Sequence, residues 1–125
     1  MQNLFEHTHP YTPFIDDTTL KLIVGTLPPP RFTTGELKDG DVNFCYGSRD
    51  EQLWPILDKI FNLNLKYETT ASAIEQRKAF LKSRRIGVCD IVASAERHKI
   101  DASDIGMQNV VLRNVLCYLE KYPNV

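Results

Sequence analysis

Short apolar runs alternate with longer stretches in which apolar residues recur at helical spacing. The first run is Leu20-Lys21-Leu22-Ile23-Val24, closed by Gly25, and it reads as a buried parallel strand. Before it, Met1–Asp17 forms an opening arm. Pro10 and Pro13 argue against a helix there, and Phe5, Tyr11, Phe14 and Ile15 are available to anchor the arm. After it, Pro28-Pro29-Pro30 forbid helix continuation and sheet pairing, so the polar segment to Gly40 is expected to be a loop. A long loop directly after a buried strand is often functional.

From Asp50 to Phe61 the spacing of Leu53, Trp54, Leu57, Ile60 and Phe61 predicts a helix, with Pro55 near its first turn. A second helix is expected over Ala71–Ser83, with Ile74, Phe80 and Leu81 inward. Ile86–Val92 reads as the second buried strand, interrupted by Asp90, and the polar segment Ala93–Gly106 reads as a loop. A third helix is expected over Met107–Tyr122, with Val111, Val115, Tyr118 and Leu119 on one face and Pro123 as its stop. The order strand, helix, helix, strand, helix predicts a single α/β domain. Two strands make a poor parallel sheet, and the last helix should lead into another strand. The pattern therefore reads as an incomplete domain, or one completed by a partner.

Composition adds limits. Of the 125 residues, 42% are hydrophobic and 25% charged, with a formal net charge of -1, so bulk electrostatic adhesion to nucleic acid is not expected. Contact with DNA would need a local basic face. Cys45, Cys89 and Cys117 are widely spaced and form no CxxC; they read as small buried hydrophobes in a reducing compartment. Three cysteines cannot supply a four-cysteine iron–sulfur cluster. Met1–Pro10 lacks the basic start and apolar run of a signal peptide, and no stretch is long and apolar enough to span a bilayer; the expected location is cytoplasmic.

In open parallel sheets, ligands bind beyond the carboxyl ends of strands. That rule makes Gly25–Pro30 and Ile91–Arg97 neighbours. Gly25 permits a sharp turn or close approach to a ligand, and Thr26 offers a hydroxyl that binds or orients water; the same residues also suit a rigid structural turn. In Asn43–Ser48, Tyr46 suits stacking on a flat base, while Phe44 and Tyr46 equally suit a core. Asp50 and Glu51 suit either helix capping or, as a general base, water activation. Asp90, inside an apolar strand, needs a partner; it suits tying down amides of the proline loop, or chemistry. Arg97 or Lys99 would meet phosphate, or form a solvated surface. His7 and His9 make a poor metal site alone.

Three segments together resemble the uracil-DNA glycosylase superfamily, nearest its mismatch-specific and hypoxanthine-type branches. They are Leu22-Ile-Val-Gly-Thr-Leu-Pro28, Tyr46-Gly-Ser-Arg-Asp-Glu-Gln-Leu-Trp54 and Val88-Cys-Asp-Ile-Val-Ala-Ser-Ala-Glu-Arg97. Their counterparts are a strand with Gly-x-x-Pro, an aromatic-small-His-Pro-x-Asn-x-Phe-Trp helix start, and Trp-Asp-Val-Val followed by a Ser-Cys-Glu-Arg-like loop. The resemblance spans about Leu20 to Ile105. It implies a three-layer α/β/α fold on a four-stranded parallel sheet, with a base pocket at the strand ends.

It further implies hydrolysis of the N-glycosidic bond of a deaminated base, uracil or hypoxanthine, flipped out of DNA. Neither cofactor nor metal nor membrane is implied; damaged DNA is the expected partner. Glu51, Thr26 and Asp90 take the catalytic positions, and Gly25, Leu27, Pro28, Phe44, Tyr46 and Ser48 the base-binding ones. Arg97 and Lys99 are the expected DNA contacts. Leu27 stands where several branches carry Asp or Asn, and Ser48 replaces the family histidine. The alternative from another class is a noncatalytic domain that binds a nucleobase, nucleotide or protein through the same pocket.

Overall fold

The structure is a computed structural model that describes residues 5–97 and 106–125. The first expected strand is present as β2 (Lys21–Ile23), and it pairs in parallel with β3 (Ile86–Val88), Leu22 opposite Gly87. Beyond the ladder, Cys89 donates its N–H to the Ile23 carbonyl at 3.0 Å and Ile91 donates to Gly25 at 2.8 Å. These two bonds hold the carboxyl ends of the strands together as they diverge. On the other edge of β3, Phe14 and Val88 exchange backbone hydrogen bonds of 2.9 and 2.8 Å. The parallel pair is less covered than its composition implies: Leu20 and Val24, expected inside, are 46% and 52% exposed.

Ile86–Val92 is not one strand. At Asp90 the chain turns its carboxylate toward Gly25 and leaves the parallel pair. It then enters a second, antiparallel sheet of order β1-β4-β5, made of β1 (Phe5–Thr8), β4 (Val92–Arg97) and β5 (Gln108–Leu112). The opening arm thus begins as a strand, with His7 opposite Ala95, and the expected loop after Val92 is strand as far as Arg97. The expected helix over Met107–Tyr122 is also divided. Its β-branched Val110 and Val111 lie in β5, and only α4 (Val115–Lys121) is helical, begun by Asn114, whose side chain accepts the Cys117 N–H at 3.1 Å. The architecture is mixed α/β, with one parallel pair and one three-stranded antiparallel sheet among the described residues rather than a single parallel sheet.

The prolines also act differently from expectation. Pro30 is the first residue of a short helix, α1 (Pro30–Thr34), where a missing N–H costs nothing, and Gly35 ends it at a φ of 83°. Helix α2 (Leu53–Phe61) buries Trp54, whose Nε1–H donates to the Cys45 carbonyl at 2.9 Å; Ile60, one of the apolar positions whose spacing predicts the helix, is 67% exposed. Helix α3 spans Ala71–Ser83 as the spacing predicts, with the Thr70 hydroxyl accepting the Ala73 N–H at 3.3 Å. Ala73, Phe80 and Leu81 face a core completed by Val42, Phe44, Cys45, Trp54 and Val88. Arg77 is buried between the rings of Trp54 and Tyr67, its guanidinium carbon 5.4 and 5.1 Å from their centroids, and burial lowers its pKa.

Asp41 fastens the loop between α1 and α2. It is fully buried, accepts Nε–H and Nη2–H of Arg31 at 2.7 and 2.9 Å, and accepts the Lys38 and Arg49 N–H groups at 2.8 and 2.9 Å. Burial opposes its charge, but the Arg31 fork and the two amides prevail and hold the carboxyl at about 2. By contrast, β5 and α4 contain no buried side chain; Leu112 and Leu116 are 67% and 65% exposed. Cys117 is exposed, unlike Cys45 and Cys89. No helix of the described residues is long and apolar enough to cross a membrane.

Two stability predictions follow from this distribution. Leu81→Ala should cost about 2–5 kcal/mol in urea unfolding, whereas Leu116→Ser should change stability by no more than about 0.5 kcal/mol. Comparable losses would mean that α4 is packed in solution. Asp41 has a folded pKa of about 2 against an ordinary 3.8. Its contribution is therefore complete above the ordinary value and disappears as pH falls through the folded value. Wild type should lose melting temperature more steeply than Asp41→Asn between pH 4 and 2; parallel curves would refute the Asp41 account.

Candidate functional site

A cavity of about 200 Å³ lies where β2 and β3 end. The segment after β2 contributes Gly25, Thr26, Leu27 and Pro28, and the residue after Cys89 contributes Asp90. The turn before α2 contributes Tyr46, Ser48 and Glu51. The arm adds His9 and Tyr11. Eight of the residues that the sequence singles out thus meet in one place, although they lie far apart in the chain.

Asp90 organises this cavity. Its Oδ1 accepts the Gly25 N–H at 2.9 Å and the Tyr46 hydroxyl at 3.3 Å, and its Oδ2 accepts from His9 Nε2 at 2.7 Å. Of the two roles open to Asp90 in the sequence, tying down an amide at the head of the proline loop is present in the geometry. On the far side of the His9 ring, Nδ1 accepts the Tyr11 N–H at 3.1 Å, so the hydrogen on this imidazole sits on Nε2 and points at Asp90. Both ring nitrogens are committed to the protein. His9 therefore orients Asp90 rather than receiving a proton from a ligand.

The position of Tyr46 depends on two glycines. A Cβ at Gly25 would overlap the Tyr46 hydroxyl and stand 3.1 Å from Asp90 Oδ1. A Cβ at Gly47 would run into the carbonyls of Val42 and Phe44, because the turn closes tightly there, with Val42 N–H to Gly47 O at 2.8 Å and Gly47 N–H to Phe44 O at 3.0 Å. Tyr46 itself has a φ of 57°, a conformation that costs a non-glycine residue on the order of 1–3 kcal/mol and that clusters at binding sites. Burial and the Asp90 charge raise the Tyr46 pKa, so the phenol stays a donor. The Cys45 thiol, also at the cavity, is pushed up to about 12 by burial and by Asp90, which argues against a thiolate nucleophile.

Glu51 is half-buried and precedes α2. Its Oε1 accepts the Gln52 N–H at 3.0 Å, and neither it nor Asp50 caps the first turn in the expected way, since no acidic residue lies in that turn and Gln52 occupies the N-cap. Asp50 is exposed, 3.9 Å from Arg31 Nη2. Ser48 Oγ accepts from Arg31 Nη2 at 2.9 Å, which couples the cavity to Asp41.

Three expected site residues lie elsewhere. Phe44 belongs to the core, its ring 5.8 Å from Phe14 and 6.5 Å from Trp54, and does not line the cavity. Arg97, expected to contact DNA or to lie on a solvated surface, is 1% exposed; its Nε–H donates to His7 Nδ1 of the neighbouring strand β1 at 2.9 Å. Burial and the Arg97 charge lower the His7 pKa to about 4. Lys99 lies outside the described residues. His9 and Tyr11 are the residues that sequence reasoning missed. They reach the cavity because β1 pairs with β4 and His9 donates its N–H to Ala93 at 2.8 Å, a contact across 84 positions that no local motif announces. Among the described residues, no group of three or more His, Cys, Asp or Glu is arranged to hold a metal ion.

Comparison with protein families, with characterised proteins and with solved structures finds no match to this chain.

The packing of Gly25 against Tyr46 is testable. Gly25→Ala should destabilise the fold, and adding Tyr46→Phe, which removes the overlapping oxygen, should recover part of the loss. A coupling of about 0.5–3 kcal/mol in the double-mutant cycle is expected; strict additivity would mean that the two residues do not touch.

Proposed function

We propose that the protein is a DNA glycosylase of the uracil-DNA glycosylase-like type, hydrolysing the N-glycosidic bond of a deaminated base. The observation that carries this reading is the convergence of Thr26, Tyr46, Glu51 and Asp90 on one cavity at the carboxyl ends of two parallel strands. On this reading β2 and β3 belong to the parallel sheet of a three-layer α/β/α domain. The cavity is smaller than the pockets of about 300–1,000 Å³ that hold drug-sized ligands, and it suits a single flipped base.

Each residue then has a task. Tyr46 stacks on the base, held in place by Gly25 and Asp90. Asp90 is a positioning residue, because both its oxygens already accept hydrogen bonds from the protein. Glu51 uses one oxygen for the Gln52 N–H and has the other for water beside C1′ of the sugar, with Thr26 assisting. The glycosidic bond breaks through an oxocarbenium-like state, and water takes the place of the base. Arg97 is not proposed as a phosphate contact, since it is buried.

The test is alkali-induced strand cleavage of oligonucleotides carrying one uracil or one hypoxanthine, single- and double-stranded. Wild type should cleave at the damaged base. Glu51→Ala should lower the rate by about 10²–10⁴-fold, and Tyr46→Ala should lower it by roughly tenfold or more through lost stacking. A folded protein that binds these oligonucleotides without releasing a base would instead be a noncatalytic base-binding domain.

A further inference from the structure

A second concavity shares no lining residue with the cavity described above. It is a groove of about 390 Å³ between the arm and α3, and it reaches Ile86, the first residue of β3. It therefore lies at the other end of the parallel pair, where a base held in the cavity does not reach. Helix α3 contributes Glu75, Lys78, Ala79 and Lys82, a spacing of i, i+3, i+4 and i+7 that puts all four on one helix face. Arg85 prolongs the line of cations past the end of the helix. The arm and β3 supply the apolar part of the lining, Pro13, Phe14, Ile15 and Ile86.

Among the described residues none of the three cations has an ion pair; Lys78 meets only the Phe44 ring, its Nζ 5.9 Å from the centroid. The helix dipole accounts for Lys82, which lies in the last turn, but that effect fades within one turn and leaves Lys78 unexplained. Arg85 is more telling. It follows the C-cap of α3 at a φ of 58°, where helices commonly place glycine. Its N–H donates to the Lys82 carbonyl at 3.1 Å, and its carbonyl accepts the Leu20 N–H at 2.8 Å. A glycine would make both bonds without strain. What a glycine would lack is the guanidinium, which is exposed in the groove and makes no hydrogen bond among the described residues.

Two carboxylates, Asp16 and Glu75, also line the groove. Asp16 is occupied, its Oδ1 accepting the Thr18 N–H and hydroxyl at 2.8 and 2.6 Å. Glu75 stands at one end of the helix line, a turn before Lys78. The mixed signs decide the class of ligand. A phosphodiester strand repeats one charge and would meet both carboxylates, whereas a peptide varies its charge from residue to residue. Alternate side chains of an extended peptide lie on one side of it, about 6.6–6.8 Å apart. Lys78 and Lys82 are separated by about 6 Å along the axis of α3. We infer that the groove binds an extended acidic peptide segment of another protein. Its acidic residues, at alternate positions, meet Lys78, Lys82 and Arg85, and the apolar residues between them meet Phe14, Ile15 and Ile86.

The experiment is selection of short random peptides on the full, folded chain, followed by fluorescence-anisotropy titration of the enriched sequences in low and high salt. Enriched peptides should alternate Asp or Glu with apolar residues, and their binding should weaken as salt rises. Lys82→Ala combined with Arg85→Gly should weaken binding at least about tenfold. Arg85→Gly alone should keep or raise the melting temperature, which separates lost binding from lost folding. Lys59→Ala removes an exposed cation outside the groove and should leave binding within about twofold of wild type. Enrichment of no peptide, of peptides without acidic residues, or of peptides indifferent to the Lys82→Ala and Arg85→Gly pair would overturn the proposal. Displacement of the peptide by an equimolar random single-stranded oligonucleotide would overturn it in favour of a phosphate contact. None of these outcomes bears on base release at the cavity.

Discussion

A carboxylate out of water must be met by donors or it destabilises the fold that buries it. Asp90, 7% exposed, meets that requirement with three partners from three separate segments: the end of β2, the turn before α2 and the arm after β1. Everything that gives the cavity its form follows from this arrangement. Gly25 must lack a side chain so that Tyr46 can reach Asp90, and Tyr46 accepts an unfavourable backbone conformation to do so. The backbone carbonyl of Asp90 is also used, receiving Arg113 Nη1 at 3.4 Å while Nη2 of the same side chain donates to Tyr11 at 2.9 Å. The exposed carboxy-terminal elements are thereby tied to the site even though they bury nothing.

The residues that the sequence made legible are those whose signal is local. Helix α3 was readable because its inward positions lie within one stretch, and the parallel pair because its short apolar runs are local. The strand-end rule found the cavity residues after β2, Gly25 to Pro28, but its second segment, Ile91–Arg97, does not line the cavity; the residue there is Asp90, which the sequence places inside the strand. What could not be read was non-local. Nothing in Phe5–Thr8 marks it as the partner of β4, so His9 and Tyr11 were invisible as site residues, and the burial of Arg97 against His7 was equally hidden. Periodicity was misleading at Val111 to Leu119, where the same apolar spacing fits a helix face but is divided between a strand and a shorter helix.

The two halves of the molecule are held by different means. Around α3 the core is aromatic, with Phe14, Phe44, Trp54 and Phe80 in successive ring contacts of 5.8, 6.5 and 6.2 Å between centroids. The antiparallel sheet is held by its ladders and by the buried His7–Arg97 pair, with few large side chains beneath it. The cavity lies at the end of the parallel pair, and the antiparallel sheet reaches it only through His9 and Tyr11, which follow β1.

The pairing of β1 with β4 has a consequence in time. Phe5 lies opposite Arg97, so the opening strand cannot find its place until more than ninety residues have left the ribosome. The contacts that bring His9 to Asp90 are among the most distant along the chain, and closing so long a loop is slow. During synthesis the aromatic nucleus around α3 can gather first, and the amino-terminal arm must wait beside it unpaired. The pocket is therefore a late product of folding, because His9 can meet Asp90 only after the chain between them has been made.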